Sequence, residues 1–381
     1  MNNSVKTFIL SICLLAIAFP SLAQEYGIAN TRDPKTDIPS FVKPEFDYWM
    51  RDTWVTLGPD GYYYMTGTTT APNRSFPGQL HCWDWNDGLY LWRSKDMKTW
   101  EPRGLIWSLE RDGTWQKEPK IYKTDEKYPK RSANGDPLDN YFRAVWAPEL
   151  HYIKSVKKWF IVACLNQSAN GKGSFILKSM TDKPEGPYEN IEGNKCRPLF
   201  NQIDGSLFED TDGTVYFVGH NHYIAKMKSD MSGFAEELKE IKETKFFPEP
   251  YIEGAFIFKH AGKYHLVQAI WSHRTSEGDT YVEKKGVTDN HTRYSYDCVI
   301  ATSDNVYGPY GKRYNAITGG GHNNLFLDKD GNWWATMFFN PRGEQASEFD
   351  VTCRPGLIPM KYEEDRFIPD HNRNKLTDRI K

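Results

Sequence analysis

Gly58-Pro59-Asp60-Gly61-Tyr62-Tyr63-Tyr64-Met65-Thr66-Gly67 is the stretch that decides the fold. A Pro-Asp-Gly turn runs straight into aromatic and β-branched side chains, which reads as an antiparallel hairpin. The format returns at Ser155-Val156-Lys157-Lys158-Trp159-Phe160-Ile161-Val162 and at Asp210-Thr211-Asp212-Gly213-Thr214-Val215-Tyr216-Phe217. It returns again at His260-Ala261-Gly262-Lys263-Tyr264-His265-Leu266-Val267 and Asp328-Lys329-Asp330-Gly331-Asn332-Trp333-Trp334-Ala335. Each is preceded by a short apolar strand, such as Ser206-Leu207-Phe208 or Ala255-Phe256-Ile257-Phe258. In several units a further strand follows, as over 88–94, 173–179 and 298–303. Five such units of about four strands predict an all-β, five-bladed β-propeller. A two-sheet sandwich has no need of five equivalent hairpins. The spacing is uneven because polar insertions fall at about 72–87, 108–142 and 273–296. Insertions of this kind sit in face loops, where binding sites are built.

Composition agrees. Among 381 residues, 29 Gly and 22 Pro with 13 Trp, 22 Tyr and 21 Phe suit short strands and tight turns, and they exclude a helix bundle. Lys and Arg number 48 against 50 Asp and Glu, a net charge of −2 that speaks against a nucleic-acid partner. Lys6, the apolar run 8–19 and Pro20-Ser21-Leu22-Ala23 read as a signal peptide cleaved after Ala23. The run is shorter than the roughly 20 residues of a spanning helix. The expectation is an exported protein, periplasmic or secreted, with no membrane span after cleavage. Residues 24–381 are expected to form one domain, with the Pro-rich 24–50 segment packed along it and nothing after the fifth unit long enough for another. Cys82, Cys164, Cys196, Cys298 and Cys353 are odd in number and widely spaced, so at least one is free. Their apolar surroundings suggest core positions rather than a disulfide framework or metal site.

Three acidic residues occupy comparable places, each at the start of an innermost strand. Asp52 lies in Met50-Arg51-Asp52-Thr53-Trp54-Val55, Asp204 in Gln202-Ile203-Asp204-Gly205-Ser206, and Glu253 in Tyr251-Ile252-Glu253-Gly254-Ala255. Innermost strands surround a propeller's axis, so the three carboxylates are expected to converge on a central pocket. Separated carboxylates beside aromatic rings suit sugar hydrolysis: one activates water, another protonates the leaving oxygen, and rings cover sugar faces.

These motifs, in this order, resemble glycoside hydrolase family 43, five-bladed propellers that act mainly on arabinose- and xylose-containing glycans. The resemblance rests on the Asp52 stretch, on Arg93-Ser94-Lys95-Asp96-Met97-Lys98-Thr99-Trp100, and on Val145-Trp146-Ala147-Pro148-Glu149-Leu150. It extends through the Asp204 and Glu253 stretches to Gly320-Gly321-His322-Asn323-Asn324, covering roughly residues 45–365. It implies that Asp52 is the general base, Glu253 the general acid, and Asp204 the group that tunes and orients the acid, partly by raising its pKa. It also implies inversion of the anomeric centre. Arg51 would help to keep Asp52 ionised if its side chain points inward. His322 resembles a histidine near the propeller axis that is associated, through water, with a central calcium ion. Arg354 sits where the family offers a substrate-binding arginine, and Trp146 would line the sugar site. The segment 80–87, with Trp83, is the candidate specificity loop. The expected partner is an oligosaccharide or polysaccharide, cut by an exo-acting arabinofuranosidase- or xylosidase-type activity. A non-catalytic carbohydrate-binding propeller, or a neighbouring glycosidase family acting on another sugar, is the alternative. Thr53, Gly205 and Ala255 stand where the family's usual prolines fall, which is expected to free the local backbone.

Overall fold

In the computed structural model the described residues are 33–47, 49–69, 86–117, 120–121, 141–142, 144–165, 173–245, 251–275, 278–280, 293–339 and 353–373. Residues 1–23 and much of the three insertions lie outside them.

All five hairpin tips turn as the sequence predicts. Each has a left-handed residue: Gly61 (φ 78°), Lys157 (51°), Gly213 (82°), Gly262 (78°) and Gly331 (81°). Glycine adopts this conformation without a Cβ penalty, and it fills four of the five tips. Three tips close identically, with the N–H of Gly61, Gly213 and Gly331 donating to the carbonyls of Gly58, Asp210 and Asp328 at 2.9–3.0 Å.

Each hairpin opens a four-stranded antiparallel sheet that proceeds outward in chain order. Blade one comprises Arg51–Leu57, Tyr63–Thr68, Gly88–Ser94 and Glu101–Ser108. Blade two is Val145–Ile153, Lys158–Leu165, Gly173–Ser179 and Tyr188–Asn190, and blade three is Gly205–Glu209, Val215–Gly219, Tyr223–Lys226 and Lys239–Glu240. Blade four is Ile252–His260, Lys263–Thr275, Arg293–Ser303 and Tyr314–Ile317, with Gly278–Thr280 added against its long second strand. Blade five is Leu325–Leu327, Trp333–Phe338, Pro355–Glu363 and Arg366–Pro369. No α-helix occurs among the described residues. This is a five-bladed β-propeller.

The second strands are apolar on both sides because each blade is covered on both faces. In Lys158–Leu165 every residue after Lys158 is buried. Trp159 and Ile161 pack with Tyr64 and Leu91 of blade one, whereas Phe160 and Val162 pack with Leu207 and Phe217 of blade three. Similar cores fill the seams between blades three and four, four and five, and five and one. Burying one such side chain contributes about 1.5–3 kcal/mol, so the stability is distributed around the ring.

Cys164, Cys298 and Cys353 are buried and free, as expected. Cys196 is free but exposed, contrary to expectation, because it lies in a bend after the short 3-10 turn Glu192–Asn194 rather than in a strand. Cys82 lies outside the described residues.

The ring closes between blades five and one without exchange of a strand. Asn324 performs the closure: its Oδ1 accepts the Val55 N–H at 3.1 Å and its Nδ2 donates to the Val55 carbonyl at 2.8 Å. Thr336 Oγ1 donates across the same seam to the Thr53 carbonyl at 2.5 Å. The incoming chain reinforces it, through Thr318 N–H to the Thr36 carbonyl, Glu45 N–H to Pro355 and Met50 N–H to Cys353. Asn324→Ala would leave two buried backbone groups unpaired, and we expect a loss of about 2–4 kcal/mol. Equilibrium urea unfolding checks this, and a loss under about 1 kcal/mol would show that the seam does not depend on the amide.

Candidate active site

Near the axis the strand ladders break. Register shifts fall between Arg51 and Trp54, Trp146 and Glu149, and Glu253 and Phe256. Bulges re-aim side chains. Asp52 (φ 50°), Ala147 (45°), Asp204 (58°) and Gly254 (65°) are all left-handed here. Such a conformation in a residue other than glycine costs of order 1–3 kcal/mol and needs support from its surroundings.

That support comes from hydrogen bonds rather than from the prolines that the sequence lacks. Thr68 Oγ1 donates to Asp52 Oδ2 at 2.6 Å. The Asp204 carbonyl accepts the His220 N–H at 2.8 Å, and its Oδ2 accepts the Gly254 N–H at 3.1 Å. The Asp204 backbone is thus tied through its carbonyl, and the Asp52 side chain is held by Thr68.

The structure brings the three carboxylates together. Tyr296, fully buried, donates its hydroxyl to Glu253 Oε1 at 2.6 Å. Burial raises the pKa of that phenol far above its usual range, and Glu253, Asp52 and Asp204 all raise it further, so it remains a donor. Asp204 is buried, and its pKa is pushed up to about 7, first by desolvation. His322 opposes the rise, while Glu253 and Asp52 add to it. Burial thus holds the Asp204 carboxyl near neutrality.

Arg51 does point inward. Its guanidinium lies 4.8 Å from the ring centre of Phe338. Burial works against its charge, but Asp52, Cys353, Tyr296 and Glu253 outweigh burial and raise its pKa. His322 places Nδ1 3.5 Å from Asp52 Oδ1 and packs its ring where a Cβ on Gly254 would fall, so glycine is required there. Trp146 is half-buried, and its carbonyl accepts from the Cys164 thiol at 3.5 Å, the same thiol that lies 3.8 Å from Asp204 Oδ1. Arg354 is half-buried, but among the described residues it makes no ion pair with the three carboxylates; it precedes the third strand of blade five, outside the innermost layer. Trp83 lies outside the described residues.

Sequence reasoning missed Thr68 and Tyr296, whose partners lie on other strands, and it quoted Glu149 only as part of a motif. Glu149 is buried and bonded to His151 Nε2 at 2.8 Å. Burial raises the Glu149 carboxyl well above its usual range and lowers His151 to about 3, so it favours the uncharged form of each. Their i, i+2 spacing on one strand face was the available signal. Trp54, with ring centres 5.0 Å from His151 and 5.4 Å from Phe256, packs beside them.

For calcium the donor set is sparse. Among the described residues no three His, Cys, Asp or Glu side chains are grouped to hold a metal, and calcium takes about six to eight oxygen ligands. A calcium ion here would rely on water, with His322 Nε2, which has no hydrogen-bond partner among the described residues, as the nearby imidazole donor.

A propeller whose inner strands gather two aspartates and a glutamate among a tyrosine, an arginine and a histidine is arranged as glycosidases are. Residues 43–368 match the profile of Glycosyl hydrolases family 43, and the chain belongs to that family of glycoside hydrolases, which act on O-glycosyl bonds. It is 27% identical over 233 residues to a β-D-galactofuranosidase of Aspergillus niger, covering 55% of this chain and 61% of the relative. It is 23% identical over 304 residues to a putative β-xylosidase of Escherichia coli, covering 71% of this chain and 47% of the relative. The chain thus spans about half to three-fifths of the length of these curated relatives. An endo-arabinase structure from Bacteroides thetaiotaomicron superposes with a TM-score of 0.54 at 17% identity, over 86% of this chain and all of that one. At that identity the likeness speaks for the fold alone.

Because its folded pKa is raised, Asp204 contributes most to stability below the ordinary value of 3.8, and that contribution is lost as the pH rises through about 7. Asp204→Asn keeps an acceptor for Gly254 and tolerates the left-handed backbone. Between about pH 4 and pH 8 the variant should therefore gain stability relative to wild type, by at most about 4 kcal/mol. Urea midpoints at both pH values check this; a gap between the two proteins that does not change with pH would contradict it.

Proposed function

We propose that this glycoside hydrolase inverts the anomeric centre and acts on chain ends, releasing an arabinosyl or xylosyl unit from a polysaccharide fragment. The observation that carries the reading is the Tyr296 hydroxyl held on Glu253 within reach of the charges of Asp52 and Asp204. Asp52 takes a proton from water as the water attacks the anomeric carbon. Glu253 gives a proton to the departing glycosidic oxygen, so the two carboxyls end in exchanged protonation states. Tyr296 donates to Glu253 Oε1, and the Tyr251 side chain also hydrogen-bonds this carboxyl. In inverting enzymes the two carboxyls stand roughly 6.5–9.5 Å apart, which leaves room for the water. Asp204, facing both, sets the field in which the proton leaves Glu253. Trp146, Arg354 and Trp83 are proposed sugar contacts, and export through residues 1–23 belongs to the same proposal. A β-D-galactofuranosyl end is the second reading, favoured by the Aspergillus niger relative.

The test compares wild type, Asp52→Asn and Glu253→Gln on oligosaccharides and on aryl glycosides of all three sugars. We expect Asp52→Asn to lose about 10³-fold or more on every substrate, because base and water positioning are both lost. Glu253→Gln should lose at least about 10²-fold on oligosaccharides and far less on 2,4-dinitrophenyl glycosides, whose leaving group needs no proton. An equal loss on both substrate types would remove Glu253 from the acid role.

Calcium is a separate proposal, supported by the position of His322. Elemental analysis of purified protein should find about one calcium per chain, lost together with activity on exhaustive chelation. Full activity in metal-free protein would overturn it.

A further inference from the structure

We propose that Thr68 is a positioning residue for Asp52, dedicating one oxygen of that carboxylate to the attacking water; this rests on the reading of Asp52 as the general base. Thr68 ends the second strand of blade one, opposite Arg51, and is 1% exposed. Across the seam, blade two bulges between Trp146 and Glu149, and the left-handed Ala147 turns its N–H out of the ladder. That N–H donates to Thr68 Oγ1 at 2.8 Å. A hydroxyl has one proton to give, and this one goes to Asp52 Oδ2 at 2.6 Å. The bulge in blade two therefore fixes the direction of the proton on blade one.

The two oxygens of Asp52 become inequivalent. Oδ2 is committed to Thr68, and Oδ1 faces His322 Nδ1 at 3.5 Å. Oδ1 is then the oxygen that receives the proton of the water. The charge of Asp52 is felt by Arg51, Asp204, Cys164, Tyr296 and Cys353 around it. Among the described residues, only Thr68 gives it a hydrogen bond from a hydroxyl. Valine has the shape of threonine without the hydroxyl, and serine keeps the hydroxyl without the methyl, so the two variants separate hydrogen bonding from packing.

The experiment measures kcat and KM for wild type, Thr68→Val, Thr68→Ser and Asp52→Asn, with crystal structures of both Thr68 variants. The probes are 4-nitrophenyl α-L-arabinofuranoside, β-D-xylopyranoside and β-D-galactofuranoside. Thr68→Val should lower kcat about 10–100-fold with KM within about twofold, the scale of a misplaced catalytic group. Thr68→Ser should recover most of the loss, and Asp52 should be turned in the valine crystal but not in the serine crystal. Wild-type kcat in Thr68→Val, equal losses in both variants, or an unmoved Asp52 in the valine crystal would overturn the proposal. If Asp52→Asn turns over normally, the base assignment fails by itself, and the crystals still decide whether Thr68 holds the carboxylate. They also decide if none of the three probes is cleaved by wild type.

Discussion

Each blade of this propeller must bury both of its faces, and the rest of the structure depends on that requirement. A sheet whose second strand reads Trp159-Phe160-Ile161-Val162-Ala163-Cys164-Leu165 has no face to give to water. It is stable only between two neighbours, so the five blades are stable only as a closed ring. Closure then falls on the seam between blades five and one, where the Asn324 amide pairs with Val55 as another strand would. That seam also joins the site's halves: Asp52 enters from blade one and His322 from the turn before blade five, and they meet at 3.5 Å.

A packed ring of this kind creates a difficulty at its centre and uses it. Five inner strands crowd the axis, and regular ladders would present alternating apolar side chains there. The bulges in blades one, two and four, with left-handed backbones at Asp52, Ala147, Asp204 and Gly254, turn carboxylates inward instead. Strain at those residues is offset by short hydrogen bonds, such as Thr68 to Asp52 within blade one and Ala147 to Thr68 between blades two and one. The geometry of the site is thus a consequence of how the blades meet, and seam stability and carboxylate placement are linked.

Much of this was legible in the sequence. The five turns with their aromatic strands marked the blades because hairpin chemistry is local: a left-handed tip and a period-two strand need only their own neighbours. The three carboxylates were legible because they recur at equivalent places in the repeats. What was not legible depends on residues distant in the chain. Nothing near Thr68 announces that it faces Asp52 and Ala147, 79 residues apart from the latter, and nothing near Tyr296 points to Glu253, 43 residues away. The absence of proline after Asp52 is visible in the sequence, whereas the hydrogen bond from Thr68 to the Asp52 carboxylate comes from another strand. The burial that pushes Asp204 up to about 7 is likewise set by residues distant in the chain.

The central claim is that Asp52 and Glu253 act as base and acid on either side of a water in a single displacement. Proton NMR observation of the first-formed sugar, recorded before mutarotation, tests it most directly. On whichever oligosaccharide the enzyme cleaves, the released sugar should first appear as the anomer opposite to that of the bond broken, and should then relax to equilibrium. A first-formed sugar with the anomeric configuration of the substrate would mean a covalent intermediate and would contradict the account.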